Sequence, residues 1–164
     1  MEVLFLHKYS GTTDLPTAVQ GGFIYIFYSS ACAWYALSVA RPDGETLWTD
    51  RVGLGLALVG QLGNLYHHYL LASLRSGGAP KPGAKRYVVP RGGLFELVTC
   101  PHYFFEVIAW VGVGLASRHV YSILVASAMC SYLLARSKTT TLWYLTKLKD
   151  EYPASRKHMI PYLF

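Results

Sequence analysis

Long charge-free stretches alternate with short polar breaks along this chain of 164 residues. The first runs from Leu15 to Ala40 and is rich in Phe, Tyr, Ile and Ala. As a helix rising ~1.5 Å per residue it is long enough for one bilayer crossing. A second run, Val52 to Leu74, is closed at its ends by Arg51 and Arg75. Gly53, Ala57, Gly60 and Gly63 line its first half and predict a close helix–helix contact. A third apolar segment extends from Leu94 to Ser117, with Glu96 near its start and Glu106 well inside. Pro101 is expected to break or kink it, because proline removes a helix donor. The fourth run, Val120 to Ala135, precedes a tail that starts helical and ends polar. Between these runs lie breaker-rich links: Arg41-Pro42-Asp43-Gly44-Glu45, a Pro/Gly-rich stretch over 76–86, and Arg118-His119. Tyr87 to Pro90 reads as extended chain and Gly92-Gly93 as a turn.

The pattern predicts an all-α fold, a polytopic membrane bundle of about four transmembrane helices, since backbone in lipid must satisfy its own hydrogen bonds. One domain covers 1–164: a lead-in over 1–14, spans over 15–135 with a link at 75–93, and a tail over 136–164. Composition agrees, with 52% apolar, 15% aromatic and only 15% charged residues. The net charge of +6 raises the question of nucleic acid, but the cations lie between apolar runs rather than on one soluble face. With four crossings the lead-in, the 75–93 link and the tail share one side and hold nearly all the Lys and Arg, so that side is expected to be cytosolic. Cys32, Cys100 and Cys130 all fall within apolar runs, which predicts buried free thiols rather than a disulfide framework. The first residues show no cleavable signal pattern, so insertion is expected to come from the spans themselves.

Candidate chemistry concentrates between Gly63 and Glu106. On a helix turning roughly 100° per residue, Asn64, His68 and Arg75 fall within roughly 40° of one another, with His67 just beside them. An amide, an imidazole and a guanidinium on one face suit a bound phosphate or an amide-bearing cofactor. The plainer alternative has Arg75 snorkelling to the interface and His68 bonding a neighbouring helix. His102 and Glu106 share a face at i, i+4. An unpaired carboxylate among Phe, Val, Ile and Trp is costly, so Glu106 should meet Arg75, Arg136 or a ligand group; a purely structural ion pair is the competing reading. Arg136, Thr140 and Tyr144 repeat the four-residue spacing on the last helix. His67, His68 and His102 do not make a metal set, because no second cluster stands at ligand spacing. No phosphate loop of the dinucleotide type is present, and no nucleophile–base set assembles.

Taken in order, Gly63-Asn64…His68…Leu74-Arg75, Tyr87-Val88-Val89-Pro90-Arg91-Gly92-Gly93-Leu94-Phe95, Cys100-Pro101-His102-Tyr103…Glu106, Arg136…Tyr144 and Tyr152-Pro153…Arg156-Lys157…Ile160-Pro161-Tyr162-Leu163-Phe164 resemble the C-terminal domain of the steroid 5α-reductase family. That family includes 3-oxo-5α-steroid 4-dehydrogenases, very-long-chain trans-2-enoyl-CoA reductases and polyprenol reductase. The wording of Gly63 to His68 looks most like plant or algal members. The resemblance implies an integral enzyme of the endoplasmic reticulum that binds NADPH in a helical bundle. It also implies reduction of a carbon–carbon double bond conjugated to a carbonyl in a lipid, of the 3-oxo-Δ4 steroid or the enoyl-CoA type. The implied partners are that lipid substrate, membrane lipids and other lipid-synthesis enzymes, without nucleic acid.

Carried over by position, Asn64, Arg75, Tyr87, Glu106, Arg136 and Tyr144 match cofactor-contacting positions. His68 stands where steroid reductases carry an acidic residue, His102 where many members carry Asn, and Thr140 where some carry His. No catalytic donor is identified; Tyr87 and His102 are the candidates. Family members extend further at the N-terminus, where a Gln-Glu-Leu-Pro-type motif engages the substrate carbonyl. The expectation is therefore the cofactor half of a site, in a truncated or diverged chain. Two other readings compete: a membrane methyltransferase, whose Pro-x-Tyr…Glu helix is similar but whose Arg-x-x-x-Glu-Glu tail is missing here, and a non-catalytic NADPH-binding protein.

Overall fold

The computed structural model describes residues 48–74 and 87–164, together with Val19, Phe23, Phe27 and Ser30. The last four are helical and exposed, and the Phe23 and Phe27 rings stack at 5.9 Å. Three long helices carry the rest: α1 over Trp48–Leu74, α2 over Pro101–Ser117 and α3 over Val120–Leu148. A 3-10 turn, Gly93–Glu96, precedes α2, and another, Lys149–Glu151, follows α3. No strand is formed among the described residues beyond one isolated parallel bridge, Val98 with Lys157. The all-α class holds. The count of four crossings does not follow: among the described residues one helix, Val120–Glu151, is long and apolar enough to cross a membrane. The reasons are visible in the chain. α1 is diluted by Asp50, Arg51, Gln61, Asn64 and two histidines, and α2 has 17 residues. The Leu15–Ala40 run lies, apart from those four positions, outside the described residues.

Two boundaries differ from expectation. Pro101 does not break a helix; it starts one. The first turn of a helix has amide groups without intrahelical partners, so a residue lacking N–H fits there. The third apolar segment is therefore helical only from Pro101. Leu94–Glu96 belongs to the 3-10 turn, which follows from Gly92 and Gly93 at φ 91° and 53°, a region open to glycine.

α1 lies along α2, and α2 packs against α3. The α1–α2 seam is built of backbone. A Cβ added at Gly60 would stand 2.7 Å from Ala109 Cα, and one at Gly112 would stand 2.5 Å from Gly53 O. The small-residue face read from the sequence thus meets a second one on α2.

Each end of the seam is fastened by polar groups. At the start of α1, Asp50 takes two bonds from Arg118, Nε to Oδ1 at 2.9 Å and Nη2 to Oδ2 at 2.7 Å. Arg118 reaches back because it closes α2 in the left-handed region, φ 52°. At the other end His67 Nδ1 is 2.7 Å from the Gly63 carbonyl, and its Nε2 accepts from the Leu94 N–H at 3.1 Å. A carbonyl on one side and an amide on the other fix the neutral tautomer with hydrogen on Nδ1. His67, expected beside the cofactor face, instead staples α1 to the turn ahead of α2.

The Asp50–Arg118 pair gives the first prediction. The Asp50 side chain is 7% exposed and that of Arg118 32%. Removing one partner leaves a nearly buried charge. Because Arg118 is partly solvated, Arg118→Met should cost about 1–2 kcal/mol, below the range for fully buried pairs. Thermal unfolding in detergent checks it, and Asp50→Asn/Arg118→Met should recover part of the loss.

Candidate functional site

The core gathers where the head of α2 meets the 3-10 turn, α3 and the returning tail. Phe95, Val98, Cys100, Leu133 and Met159 are its fully covered members. The tail reverses after α3 and lays Lys157 and His158 beside Thr99 and Cys100, with Thr99 N to Lys157 O at 2.8 Å and Cys100 N to His158 O at 3.0 Å. A side-chain chain backs this pairing. Tyr152 hydroxyl and Thr99 Oγ1 are 2.7 Å apart, Thr99 and Thr141 2.9 Å, and Thr141 and His158 Nδ1 2.9 Å. The single Thr141 proton goes to Thr99 or to the Ser137 carbonyl, so His158 Nδ1 is the donor to Thr141.

Burial, and then Lys138 and Lys157 nearby, lower the His158 imidazole below its ordinary value. Its neutral form is thus favoured on folding. The resulting stability is complete above the unfolded value of about 6.5 and declines as pH falls from there through the lower folded value. Protease resistance of the tail should therefore weaken on acidification through this window. Thr141→Val, which strips the acceptor, should weaken it already at neutral pH.

The Arg91-Gly92-Gly93 turn is held from outside. Glu96 accepts from Gly92 N at 2.9 Å and from Arg91 at 3.2 Å, and Arg156 approaches it at 3.5 Å. The Gly92 amide first, and the two guanidiniums after it, hold the Glu96 carboxyl below the usual carboxylate range. Arg156 is buried, donates to the Pro90 carbonyl at 2.9 Å and lies over the Tyr152 ring. Thr99, Thr141, Tyr152, Arg156 and His158 support the site and were not singled out by spacing. Their partners are far away in sequence, 66 positions in the case of Arg156 and Pro90.

Against this base stand the predicted residues. Asn64 is 8% exposed, and its Nδ2 donates to the His102 carbonyl at 3.0 Å. The His68 and His102 rings are 4.9 Å apart between centroids. Glu106 follows one turn along α2, half-buried. Asn64, His68 and His102 meet between α1 and α2, and Glu106 shares the α2 face of His102 at i+4. The second group joins α2 to α3: Arg136 meets the Tyr103 phenol, and Thr140 meets the Cys100 thiol. Thr140 also donates back to the Arg136 carbonyl at 2.9 Å. Tyr144, one turn on, stacks on Tyr152 at 5.1 Å and nearly parallel. Tyr87 is 41% exposed and sets its ring edge-on to Trp143. Arg75 lies outside the described residues. The two groups meet on the first turn of α2, because His102 meets α1 while Tyr103 meets α3.

Chemically the two groups offer amide, imidazole and carboxylate on one side of α2 and a guanidinium on the other. That guanidinium lies at the positive end of a helix of 17 residues. Among the described residues no three histidine, cysteine or carboxylate groups gather as for a metal ion. Cys100 and Cys130 are free.

Comparison with known proteins gives a consistent picture. The family profile described as 3-oxo-5-alpha-steroid 4-dehydrogenase matches residues 14–164. A human protein, 3-oxo-5-alpha-steroid 4-dehydrogenase 1, is 41% identical over 87% of this chain and 51% of its own length. The mouse protein of the same name is 40% identical over 99% of this chain and 67% of its own. A steroid 5-alpha-reductase of Gossypium hirsutum is 38% identical over 71% of this chain and 43% of its own. The chain spans about half the length of several of these relatives.

Proposed function

Because the chain belongs to the steroid 5α-reductase family, we propose that it builds the cofactor-holding part of an NADPH-dependent membrane oxidoreductase. Its substrate is a lipid in which a carbon–carbon double bond is conjugated to a carbonyl, of the 3-oxo-Δ4 steroid type. The observation that carries this reading is the convergence of Asn64, His68 and His102 on one flank of the α2 head, with Glu106 one turn on from His102, and Arg136 beside Tyr103. The donor set fits a nicotinamide dinucleotide, which combines anionic phosphates with a carboxamide.

When bound, such a cofactor supplies a hydride to the β-carbon of the enone, and the α-carbon gains a proton. The chain's own residues bind and orient. Arg136 and the α2 N-terminus would hold phosphate oxygens, Arg136 through its planar fork and the helix through its partial positive charge. Arg75, next after Leu74 in the sequence, would add a cation. Glu106 would accept from the carboxamide. Asn64, engaged with the His102 carbonyl, fixes α1 against α2 and so keeps His68 beside His102. Tyr144, braced on Tyr152, offers a flat face for a ring. His102, inside the α1–α2 group, and Tyr87, set edge-on to Trp143 of α3, are the side chains that would donate to the substrate carbonyl.

Membrane residence rests on exposed apolar faces. Leu54, Leu58 and Leu62 on α1 and Val120, Ile123 and Leu124 on α3 point outward while polar groups are buried between helices. We place the protein in the endoplasmic reticulum membrane, with the α2 head and the tail on the cytosolic side. The test is product formation in microsomes with NADPH, offering a 3-oxo-Δ4 steroid and a trans-2-enoyl-CoA separately, with NADPH binding measured alongside. Steroid reduction is expected. Reduction of the enoyl-CoA alone would move the protein to the other branch of the family, and no NADPH binding would remove the reading.

A further inference from the structure

Residues 159–164 form a hydrogen-bonded turn with one strained residue and an apolar outside. Met159 is buried at its base. The Met159 and Ile160 amides donate to the Phe164 carbonyl at 2.8 and 2.7 Å, and Leu163 and Phe164 donate to that of Ile160. The Phe164 ring rests edge-on against His158 at 4.9 Å. Tyr162 stands at φ 66°, in the left-handed region, which a bulky side chain rarely adopts. Such strain persists only where the surroundings fix it. The result is that Tyr162 and Leu163 point away from the protein, each 79% exposed.

The height of this turn along α3 follows from its contacts. His158 is bonded to Thr141. Thr141 lies five residues beyond Arg136, where the charge-free run Val120–Ala135 stops. That separation is ~7.5 Å along a helix axis, whereas the headgroup layer on each side of a bilayer is ~5–7 Å deep. The chain has turned back after Leu148, so that His158, bonded to Thr141, returns to the outer edge of that layer, and residues 159–164 follow from there. Tyrosine is favoured in the headgroup layer, where its ring is partly covered and its hydroxyl stays wet. The surroundings are cationic: residues 136–164 contain six Lys and Arg against two acidic residues, and Arg136, Lys138, Lys147, Lys149 and Lys157 are exposed. Such a surface favours an anionic leaflet.

We infer that Tyr162 and Leu163 form an interfacial anchor, inserted into the headgroup layer of the cytosolic leaflet. The anchor ties the tail, and with it Thr99 and the head of α2, to the membrane surface. This rests on the membrane reading of α3. The test places a photoreactive benzoylphenylalanine at Tyr162, at Leu163 and, as a reference, at the exposed Leu124 of α3. The full protein is reconstituted in vesicles of phosphatidylcholine with phosphatidylserine and irradiated. A mass increase of one phospholipid is expected at all three positions. Lipid adducts at Leu124 with only protein adducts, or none, at both tail positions would overturn the anchor while leaving the spanning helix intact. Absence of lipid adducts at Leu124 would overturn the membrane reading and the anchor with it.

Discussion

Arg136→Ala and Glu106→Ala should each lower NADPH affinity by about ten- to a hundredfold if the proposed cofactor site holds, the loss of a charge-assisted hydrogen bond of about 1.5–3 kcal/mol. The two losses should differ in kind. Arg136 stands at the α2 N-terminus with its guanidinium on the Tyr103 phenol, so its contact with a phosphate is electrostatic and weakens with salt. Arg136→Lys keeps the charge without the fork and should lie between wild type and alanine. Glu106 lies a turn further along α2 and is half-buried, where a bond to a carboxamide is less sensitive to salt. Arg75→Ala should behave like Arg136→Ala. Titration of the purified protein with NADPH at two salt concentrations separates these effects. Unchanged affinity in both the Arg136 and Glu106 variants would remove the head of α2 from the cofactor site.

The larger structural effect belongs to the seam. Gly60→Val or Gly112→Val should prevent folding, a loss of more than ~3 kcal/mol, because the obstructing atoms are backbone and cannot rotate away. A clash with a flexible side chain would be relieved; one with Ala109 Cα or Gly53 O requires the helices to part. Gly55 provides the control. It lies in α1 with nothing within 4 Å of an added Cβ, so Gly55→Val should leave the fold intact. Folded yield after detergent extraction distinguishes the two cases. Normal yield of Gly60→Val would mean that α1 and α2 do not pack through their glycines.

Much of the frame was legible in the chain. The spacing of Gly53, Gly60 and Gly63 announced a flat helix face, because residues three, four and seven apart line up on a helix whatever they meet. The turn at Gly92-Gly93 was legible for the same local reason. Partners distant in sequence were not. Nothing around Asp50 indicates Arg118, and nothing about Thr99 or Thr141 distinguishes them from other threonines until the tail folds back. His67 and His68 show the limit most clearly. They are adjacent on α1, separated by about 100°, and only the placement of the 3-10 turn decides which is structural. His67 proved to be the staple and His68 the one facing His102. The family resemblance supplied roles for Asn64, Glu106 and Arg136 that spacing alone left open between a ligand site and buried ion pairs.

The return of the tail onto Thr99 has a consequence for biosynthesis. Thr99 and Lys157 are paired across 58 residues. At ~5–20 residues per second, a ribosome needs roughly 3–12 s to make that stretch. For that interval the α2 head lacks the strand-like contact, the Tyr152–Thr99 bond and the Met159 side chain that later cover it. α1 and α2, with their backbone seam, have all their own contacts much earlier. The order of synthesis therefore leaves the α2 head uncovered until the tail has been made, well after α1 and α2 can pair.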